Sequence, residues 1–223
     1  MDIQPIAYFH SPLTSKFGLP RQSGLATALA GSIVFETAYR SPDAIRGLED
    51  FDYLWIIWQF SANRTIAGGT TVRPPRLGGN TRVGVFASRS PFRPNGLGLS
   101  CVRIEHIDLH TPQGPVIHVQ GADLMDRTPI FDIKPYIPSA DAHPGVRSGF
   151  VDSHPWPTLE VDLPEEAAIH FSTQEQEALR QVLALDPRPH FHDDATRIYG
   201  MPFSGRDVRF RVADGRLTVT EII

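Results

Sequence analysis

Short apolar runs separated by turn residues fill the first half of the chain, a pattern typical of β-strands. The runs cover residues 6–9, 32–35, 54–58, 83–86, 102–109 and 116–119. Within 102–109 the apolar residues occupy positions 102, 104, 107 and 109, so the alternation slips near 105 and 106 and predicts a β-bulge. Residues 41–48 suggest one helical segment, and 65–80 are rich enough in Gly, Pro and Arg to predict a long functional loop.

The last third of the chain predicts a helix followed by a hairpin. Ser-Thr-Gln-Glu at 172–175 forms a capping box, and the apolar residues at 178, 179, 182 and 183 share one helical face. Asp186 and Pro187 end this helix. Two alternating runs, 208–212 and 216–220, flank an Ala-Asp-Gly turn and predict a β-hairpin.

A stretch without apolar periodicity separates these two patterns. Residues 138–157 gather Pro, Gly, Ser and His, as linkers do. We therefore place a boundary near 145, between a mainly β domain at 1–145 and a small α+β domain at 146–223.

The composition agrees with a β-rich fold of many turns, since the 223 residues include 20 Pro and 18 Gly. No apolar run is long enough to cross a bilayer, and residues 1–5 lack the features of a signal peptide. We therefore expect a cytoplasmic protein without membrane contact. Cys101 is the single cysteine, which excludes an internal disulfide and a cysteine-based zinc site.

The charges are unevenly distributed along the chain. The net charge is −4, yet residues 53–104 contain no Asp or Glu and seven arginines, so this stretch carries +7. Its arginines suit phosphate contact, and five are candidate RNA-binding residues. These are Arg64, Arg73, Arg76, Arg82 and Arg93. The Pro-Pro pair at 74 and 75 predicts a stiff, extended loop for two of them. Alternatively, the arginines are scattered over several faces and pair with the acidic remainder.

The common signatures of nucleotide and hydrolase chemistry are missing from the sequence. Residues 96–101 hold two of the three glycines of a dinucleotide loop, without a βαβ unit around them. There is also no phosphate-binding loop and no Gly-x-Ser-x-Gly elbow. The His-Phe-His-Asp-Asp run at 190–194 lies among prolines and predicts a surface loop, so we expect no metal site.

Two other segments are far more specific. They are FASRSPFRPNGLGLS at 86–100 and DLMDRTPIFDIKPY at 123–136. Both resemble the central motifs of the TrmO family of tRNA methyltransferases. Further similarity lies in PRQSGL at 20–25, RGLE at 46–49, VRPPRLGGN at 72–80 and DPRP at 186–189. The resemblance runs from about residue 6 to residue 141.

The resemblance implies a single-sheeted β-barrel methyltransferase domain that uses S-adenosylmethionine. It also implies the substrate, which is the threonylcarbamoyl-modified adenosine at position 37 in the anticodon loop of tRNA, methylated on N6. A base in such a loop can be splayed out and stacked on an aromatic ring or an arginine. Members of the family are often dimeric, which raises a homodimer as one assembly for this chain.

The positions that match the family motifs suggest the roles of individual residues. The implied cofactor-binding residues are Ser11, Pro12, Leu13, Ser61, Ala62, Arg89, Asp123, Leu124, Met125 and Asp126. The polar groups that the resemblance offers for orienting or deprotonating the acceptor amine are Asn95, Asp132, Lys134 and Tyr136. Simpler alternatives remain for several of them. Arg89 could form a surface ion pair, Asn95 could serve a Pro-Asn turn, and Asp132 and Tyr136 could be buried partners of Lys134.

The sequence departs from the family pattern at three places near the implied pocket. His10 stands where relatives have Arg, residues 60–62 read Phe-Ser-Ala in place of a usual polar pair, and Arg127 replaces a glycine. These changes leave the methyl acceptor more open than the cofactor. Two other functions therefore remain at this stage: a methyltransferase of the same fold acting on another RNA site or a small metabolite, and a non-catalytic RNA-binding barrel.

Overall fold

The computed structural model describes residues 2–63, 69–189 and 194–223. The strands are β1 Ala7–His10, β2 Ala30–Phe35, β3 Tyr53–Gln59, β4 Thr71–Val72, β5 Val83–Gly84, β6 Leu97–Thr111, β7 Gly114–Gln120, β8 Thr128–Pro135, β9 Glu160–Asp162, β10 Tyr199–Phe203, β11 Arg206–Ala213 and β12 Arg216–Ile222. The helices are α1 Pro138–Asp141, α2 Phe150–Ser153, α3 Glu165–Ala168 and α4 Thr173–Ala184.

Six of the strands close into an antiparallel barrel in the order β1-β2-β7-β6-β3-β8. Alternate residues of each strand fill its interior, with Phe9, Ile33, Ile56 and Ile117 almost completely buried. The register of β6 against β7 shifts between Ile104 and His106, which confirms the predicted bulge. The mainly β fold class is therefore confirmed.

The sequence pattern did not predict strand β8, which closes the barrel between β1 and β3. Pro129 is its second residue and lacks a backbone donor, which argues against a central strand. In the structure Pro129 pairs with Tyr8 at the start of the strand, where the missing donor is tolerated. The partial burial of the following residues further weakens the apolar alternation.

The second layer is a four-stranded sheet in the order β10-β11-β12-β9, covered by helix α4. Both expected elements are confirmed. Ser172 and Glu175 form the capping box of α4, whose four expected apolar residues are buried, and β11 and β12 form the hairpin. Together they make the expected small α+β unit.

The long segment between β1 and β2 packs against this second layer. Its residues Leu13, Ala26 and Leu29 belong to the same buried cluster as Met201 and Phe203. We retain the boundary near 145 as a proposal, because in sequence it falls between the barrel strands and the second sheet. In space, however, the first 145 residues contribute to both cores.

Two local predictions need correction. Residues 41–48 form the tight 3-10 turn Pro42–Ile45, and a second turn, Leu48–Asp50, follows instead of one continuous helix. The run at 83–86 extends only as far as Gly84 before a turn begins, because it pairs with the two-residue strand β4. Among the described residues, no helix is long and apolar enough to cross a bilayer.

Candidate functional site

Backbone hydrogen bonds join the segment after β1 to the loop before β8. The Asp126 N–H donates to the Leu13 carbonyl at 2.9 Å, and the Arg127 N–H donates to the Phe9 carbonyl at 2.7 Å. The Ser11 N–H in turn donates to Asp126 Oδ1 at 3.2 Å. The structure thus brings together two sequence-predicted cofactor segments that lie more than a hundred residues apart.

The Asp123 carboxylate in this loop is held by the barrel wall. Ser100 Oγ donates to Asp123 Oδ1 at 2.5 Å and accepts from Trp58 Nε1 at 2.9 Å. A side chain at Gly98 would collide with the Trp58 indole, which explains the glycine two residues before the serine. Burial raises the pKa of Asp123 from its usual range, and the hydrogen bond from Ser100 offsets part of that shift.

The loop at 20–25 connects Arg89 to the same carboxylate. Arg89 Nη1 donates to Gln22 Oε1, and the Ser23 N–H donates to Asp123. The positive charge of Arg89 also lowers the pKa of Asp123, although less than burial raises it. Arg89 is thus an exposed cation beside a partly buried carboxylate.

Gln22 and Ser23 were not among the predicted site residues. Their signal was the PRQSGL segment, which supported the family resemblance but carried no assigned role. The backbone of this loop is fixed by the Gly24 N–H, which donates to the Gly121 carbonyl at 2.8 Å. Gly121 lies two residues before Asp123, so the loop is held close to the carboxylate.

The turn that carries Ser61 and Ala62 is tied to the first long motif. Asn63 Nδ2 donates to the Pro91 carbonyl at 3.4 Å, and Lys16 Nζ donates to Asn63 Oδ1 at 2.6 Å. Lys16 and Asn63 are further polar residues at this end of the barrel that the sequence did not single out. Neither falls within a motif used for the resemblance.

Asn95 occupies the turn that leads from this motif into β6. Its φ of 65° lies in the left-handed region, which asparagine tolerates better than most residues. The expected Pro-Asn turn is therefore present. The side chain of Asn95 is exposed, and the neighbouring Gly96 carbonyl accepts a hydrogen bond from the Phe60 N–H at 2.8 Å. This contact places Asn95 beside the turn of Ser61.

Asp132, Lys134 and Tyr136 lie elsewhere, on the outer wall of the barrel. Lys134 Nζ is 3.4 Å from Asp132 Oδ2, and both side chains are largely exposed, at 65% and 46%. Asp132 is thus a partner of Lys134, but a surface partner and not a buried one. The Tyr136 ring lies 6.2 Å from the Tyr53 ring and 5.9 Å from that of Trp55. The structure does not bring this group together with Asp123.

The candidate RNA-binding arginines differ in exposure. Arg73 and Arg82 are exposed, whereas Arg76 and Arg93 are half-buried, and Arg64 lies outside the described residues. Arg82 Nη1 donates to a threonine hydroxyl at 3.1 Å, and Arg93 Nη1 donates to a backbone carbonyl at 2.9 Å. Phe86 and Phe92, in the same stretch of chain, are also exposed, at 79% and 50%.

The Pro-Pro loop is not extended throughout. Pro74 is extended, but Pro75–Leu77 forms a 3-10 turn, because the φ of proline also suits the first position of a helical turn. The Arg76 guanidinium lies 5.8 Å from the centre of the Trp156 ring, and Arg21 stacks on that ring at 3.6 Å. Burial is the main cause that lowers the pKa of Arg21 to about 10.

Two family models match this chain. The model described as the tRNA-methyltransferase O N-terminal domain matches residues 8–142, and that described as the TrmO C-terminal domain matches residues 157–223. Between them they span the barrel and the second sheet.

Individual relatives and solved structures agree with the family models. The tRNA (adenine(37)-N6)-methyltransferase of Escherichia coli (strain K12) is 38% identical, covering 97% of this chain and 95% of the relative. A Pyrococcus abyssi relative described as a probable S-adenosyl-L-methionine-binding protein is 30% identical, covering 68% of this chain and 76% of the relative. The crystal structure of TrmO from Pseudomonas aeruginosa superposes with a TM-score of 0.80 at 30% identity, covering 100% of this chain and 98% of that one.

Proposed function

The chain belongs to the TrmO family of tRNA methyltransferases, and from that premise we propose that it methylates tRNA with S-adenosylmethionine as the methyl donor. The acceptor in this proposal is N6 of the threonylcarbamoyl-modified adenosine at position 37. One observation carries the proposal: three segments distant in sequence, 11–13, the loop of Arg89 and 123–126, converge at one end of the barrel.

The side chains at this end fit the polar groups of S-adenosylmethionine. The exposed Arg89 suits the donor's carboxylate, since a guanidinium and a carboxylate form a charge-assisted pair. Asp123 offers an acceptor for hydroxyl or ammonium groups, while the fully buried Leu13 and Leu124 anchor the two segments in the cores behind it. Asp126 is engaged by the Ser11 N–H and orders the rim.

Methyl transfer of this kind depends mainly on positioning. When bound, S-adenosylmethionine supplies a methyl group on a positively charged sulfur, so the protein need supply no covalent nucleophile. Asn95 lies beside the proposed cofactor segment at 61–62, because Gly96, the next residue, accepts from the Phe60 N–H. An asparagine side chain can accept a hydrogen bond from an amine and orient it. We propose that Asp132, Lys134 and Tyr136 also contact the acceptor, from the outer wall of the barrel.

Exposed aromatic and basic residues support tRNA as the substrate. Phe86 and Phe92 offer rings on which a splayed base can stack, and Arg73 and Arg82 offer charges for the phosphate backbone. All four belong to the stretch that carries no acidic residue. We further propose that the protein works in the cytoplasm, where its substrate resides, and that it assembles as a homodimer, which light scattering can test.

Methylation of defined tRNAs tests the proposed function. Purified protein, S-adenosylmethionine and threonylcarbamoylated tRNA should yield a nucleoside that is heavier by one methyl group in mass spectrometry. The same tRNA without the threonylcarbamoyl group is the substrate control. Methylation of another nucleoside would show that the protein acts on a different RNA site. Cofactor binding without methyl transfer would show that the barrel is not catalytic.

The cofactor site can be tested separately by calorimetry. We expect Arg89→Ala to weaken S-adenosylmethionine binding by about 1.5–3 kcal/mol, because it removes a charge-assisted contact. Arg103→Ala is the matched control, since Arg103 is an exposed arginine on β6 that contacts Gln120. Equal affinities of the two variants for S-adenosylmethionine would show that Arg89 does not contact the cofactor.

A further inference from the structure

Two histidines and an aspartate meet on the outer surface of strands β6 and β7. His106 and His118 are directly opposite each other in the antiparallel register. Asp108 follows two residues after His106 on the same strand and therefore points to the same face. The register shift just before His106 is the bulge already described, and it sets this cross-strand pair.

The three side chains present their ligand atoms to one another. Asp108 Oδ2 lies 3.2 Å from His118 Nε2 and 3.7 Å from His106 Nε2. All three ligand atoms lie within 4.8 Å of one another. Ligand bonds of about 2.0–2.2 Å around a zinc ion place neighbouring ligand atoms roughly 3–3.5 Å apart, so one of these distances already fits and the others need a small closure.

The two imidazoles are stacked, with ring centres 4.2 Å apart and planes at 7°. Parallel rings cannot both direct a lone pair at one ion, so binding requires them to tilt toward each other. Both rings have room to do so, because the His106 and His118 side chains are 53% and 31% exposed. Their backbones are fixed by the barrel ladder, which limits the entropy lost on binding.

A shallow depression of about 560 Å³ adjoins the cluster. Asp108 and His118 form part of its lining, together with His10 and Ser32 of the neighbouring strands. Such a space can hold the water ligands that complete the coordination of an ion with three protein ligands.

The type of ligand atom selects the class of ion. Two imidazole nitrogens and one carboxylate suit Zn²⁺, Co²⁺ or Ni²⁺, whereas Mg²⁺ and Ca²⁺ prefer oxygen ligands. The alternative is an ion pair between Asp108 and a protonated histidine. Because Asp108 lies 3.2 Å and 3.7 Å from the two rings in either case, titration with Zn²⁺ separates an ion pair from a bound ion.

We propose that His106, Asp108 and His118 bind a divalent ion of the zinc class on the outer wall of the barrel. This site is additional to the proposed methyl-transfer site, which uses none of these three residues. It also differs from the metal-ligand run considered at 190–194, of which residues 190–193 lie outside the described part of the chain.

Calorimetric titration of the untagged full-length protein with Zn²⁺ tests this proposal. We expect one ion per chain, and affinity at least about tenfold weaker in His106→Ala and in His118→Ala, because even indirect supports of a metal contribute about 10–100-fold. His110→Ala is the matched control, since it removes an exposed histidine from the same strand. It should bind as the wild type does.

Cobalt absorption provides a second readout. Co²⁺ bound by imidazole nitrogen should give visible absorption bands that are lost in His118→Ala and in the milder His118→Gln, with circular dichroism confirming that both variants fold. The proposal is overturned if the wild type binds no Zn²⁺, if His110→Ala weakens binding as much as His118→Ala, or if only a His190→Ala plus His192→Ala variant loses the ion. None of these outcomes depends on methyltransferase activity.

Discussion

Arg127 occupies a backbone conformation that usually favours glycine. Its φ is 61°, and its N–H donates to the Phe9 carbonyl at 2.7 Å, so the tight turn before β8 is kept despite the side chain. The family motif has glycine at this position, and the positive φ shows why a glycine suits it. The hydrogen bond to Phe9 thus fixes the backbone of Arg127 in this conformation.

Substituting Arg127→Gly should therefore stabilise the protein. A left-handed residue with a Cβ costs about 1–2 kcal/mol, while glycine loses roughly 0.5–1 kcal/mol more backbone entropy on folding. The net expected gain is about 0.5–1 kcal/mol in the free energy of unfolding, measured with urea. Arg127→Ala is the control, because it removes the exposed side chain but keeps the Cβ. A similar gain in both variants would show that the side chain, and not the backbone, carries the cost.

Asp123 is the residue whose environment has the clearest consequence for pH. Because burial raises its pKa in the folded state, its ionised form costs stability at pH values above that pKa, and the cost shrinks as the pH falls below it and is absent below the lower pKa of the unfolded chain. Asp123→Asn keeps an acceptor for Ser100 and removes the charge. We expect the variant to be more stable than the wild type at pH 7–8, with the difference narrowing as the pH is lowered.

Denaturant unfolding at a series of pH values measures this difference. Asp162→Asn serves as the control, since Asp162 is an exposed carboxylate on β9, and it should show no such trend. A variant at Asp123 that is less stable than the wild type at neutral pH would mean that hydrogen bonds to the carboxylate outweigh its burial. The same variant should bind S-adenosylmethionine more weakly if Asp123 accepts from the cofactor.

Among the elements, those with local signals were predictable and those defined by distant contacts were not. The capping box and one-sided apolar pattern are enough to specify α4, and the turn chemistry specifies the β11–β12 hairpin. In contrast, β9 is three residues long and pairs in parallel with β12, more than fifty residues away. Short strands of this kind carry too little periodicity to be recognised, so their formation depends on the partner strand.

The polar residues predicted to serve the acceptor amine lie on strand β8 and just after it. Asp132 and Lys134 pair on the outer wall, so in the proposed reaction they act on the acceptor while tRNA covers that wall. We expect Asp132→Asn, Lys134→Ala and Tyr136→Phe to lower the single-turnover rate by about 10²–10⁴-fold. Cofactor affinity should be unchanged, because none of these residues contacts the cofactor segments described above.

Single-turnover kinetics at saturating S-adenosylmethionine separates this group from Asn95. Asn95→Gly retains the left-handed turn and removes the side chain, so a loss of rate in this variant reports on the amide itself. If the Asp132, Lys134 and Tyr136 variants all keep full rates while Asn95→Gly loses activity, the outer wall has no part in the chemistry. The acceptor would then be oriented from the turn beside Ser61.

At the scale of the whole molecule, closure of the barrel brings the proposed cofactor segments to one end of the fold. Residues 11–13, 61–62 and 123–126 are far apart in sequence, and only the family resemblance could group them. The contacts of Gln22 with Arg89 and of Ser23 with Asp123 could not be predicted, because they depend on a loop that folds back over Gly121. Nor does composition reveal that Leu13 and Leu29 complete the core of the C-terminal layer, since an apolar residue does not specify which core it enters.

The charge distribution of the molecule leads to the last prediction, on tRNA affinity. Phosphate contacts act locally, so the stretch free of acidic residues can bind RNA although the whole chain carries −4. Arg73 and Arg82 are its exposed candidates, whereas Arg76 lies against Trp156. Their replacement is therefore expected to affect binding more than folding.

A variant with Arg73→Ala and Arg82→Ala should bind tRNA more weakly and with a flatter salt dependence. Each phosphate contact that is lost should reduce the slope of log affinity against log salt by about 0.7–0.9, while S-adenosylmethionine affinity and thermal stability stay the same. The matched control is Arg206→Ala plus Arg211→Ala, which removes two exposed arginines from β11 in the C-terminal layer. If only this control variant loses tRNA affinity and shows the flatter salt dependence, the phosphate contacts are made by Arg206 and Arg211. In that case the second sheet, and not the barrel, binds the RNA.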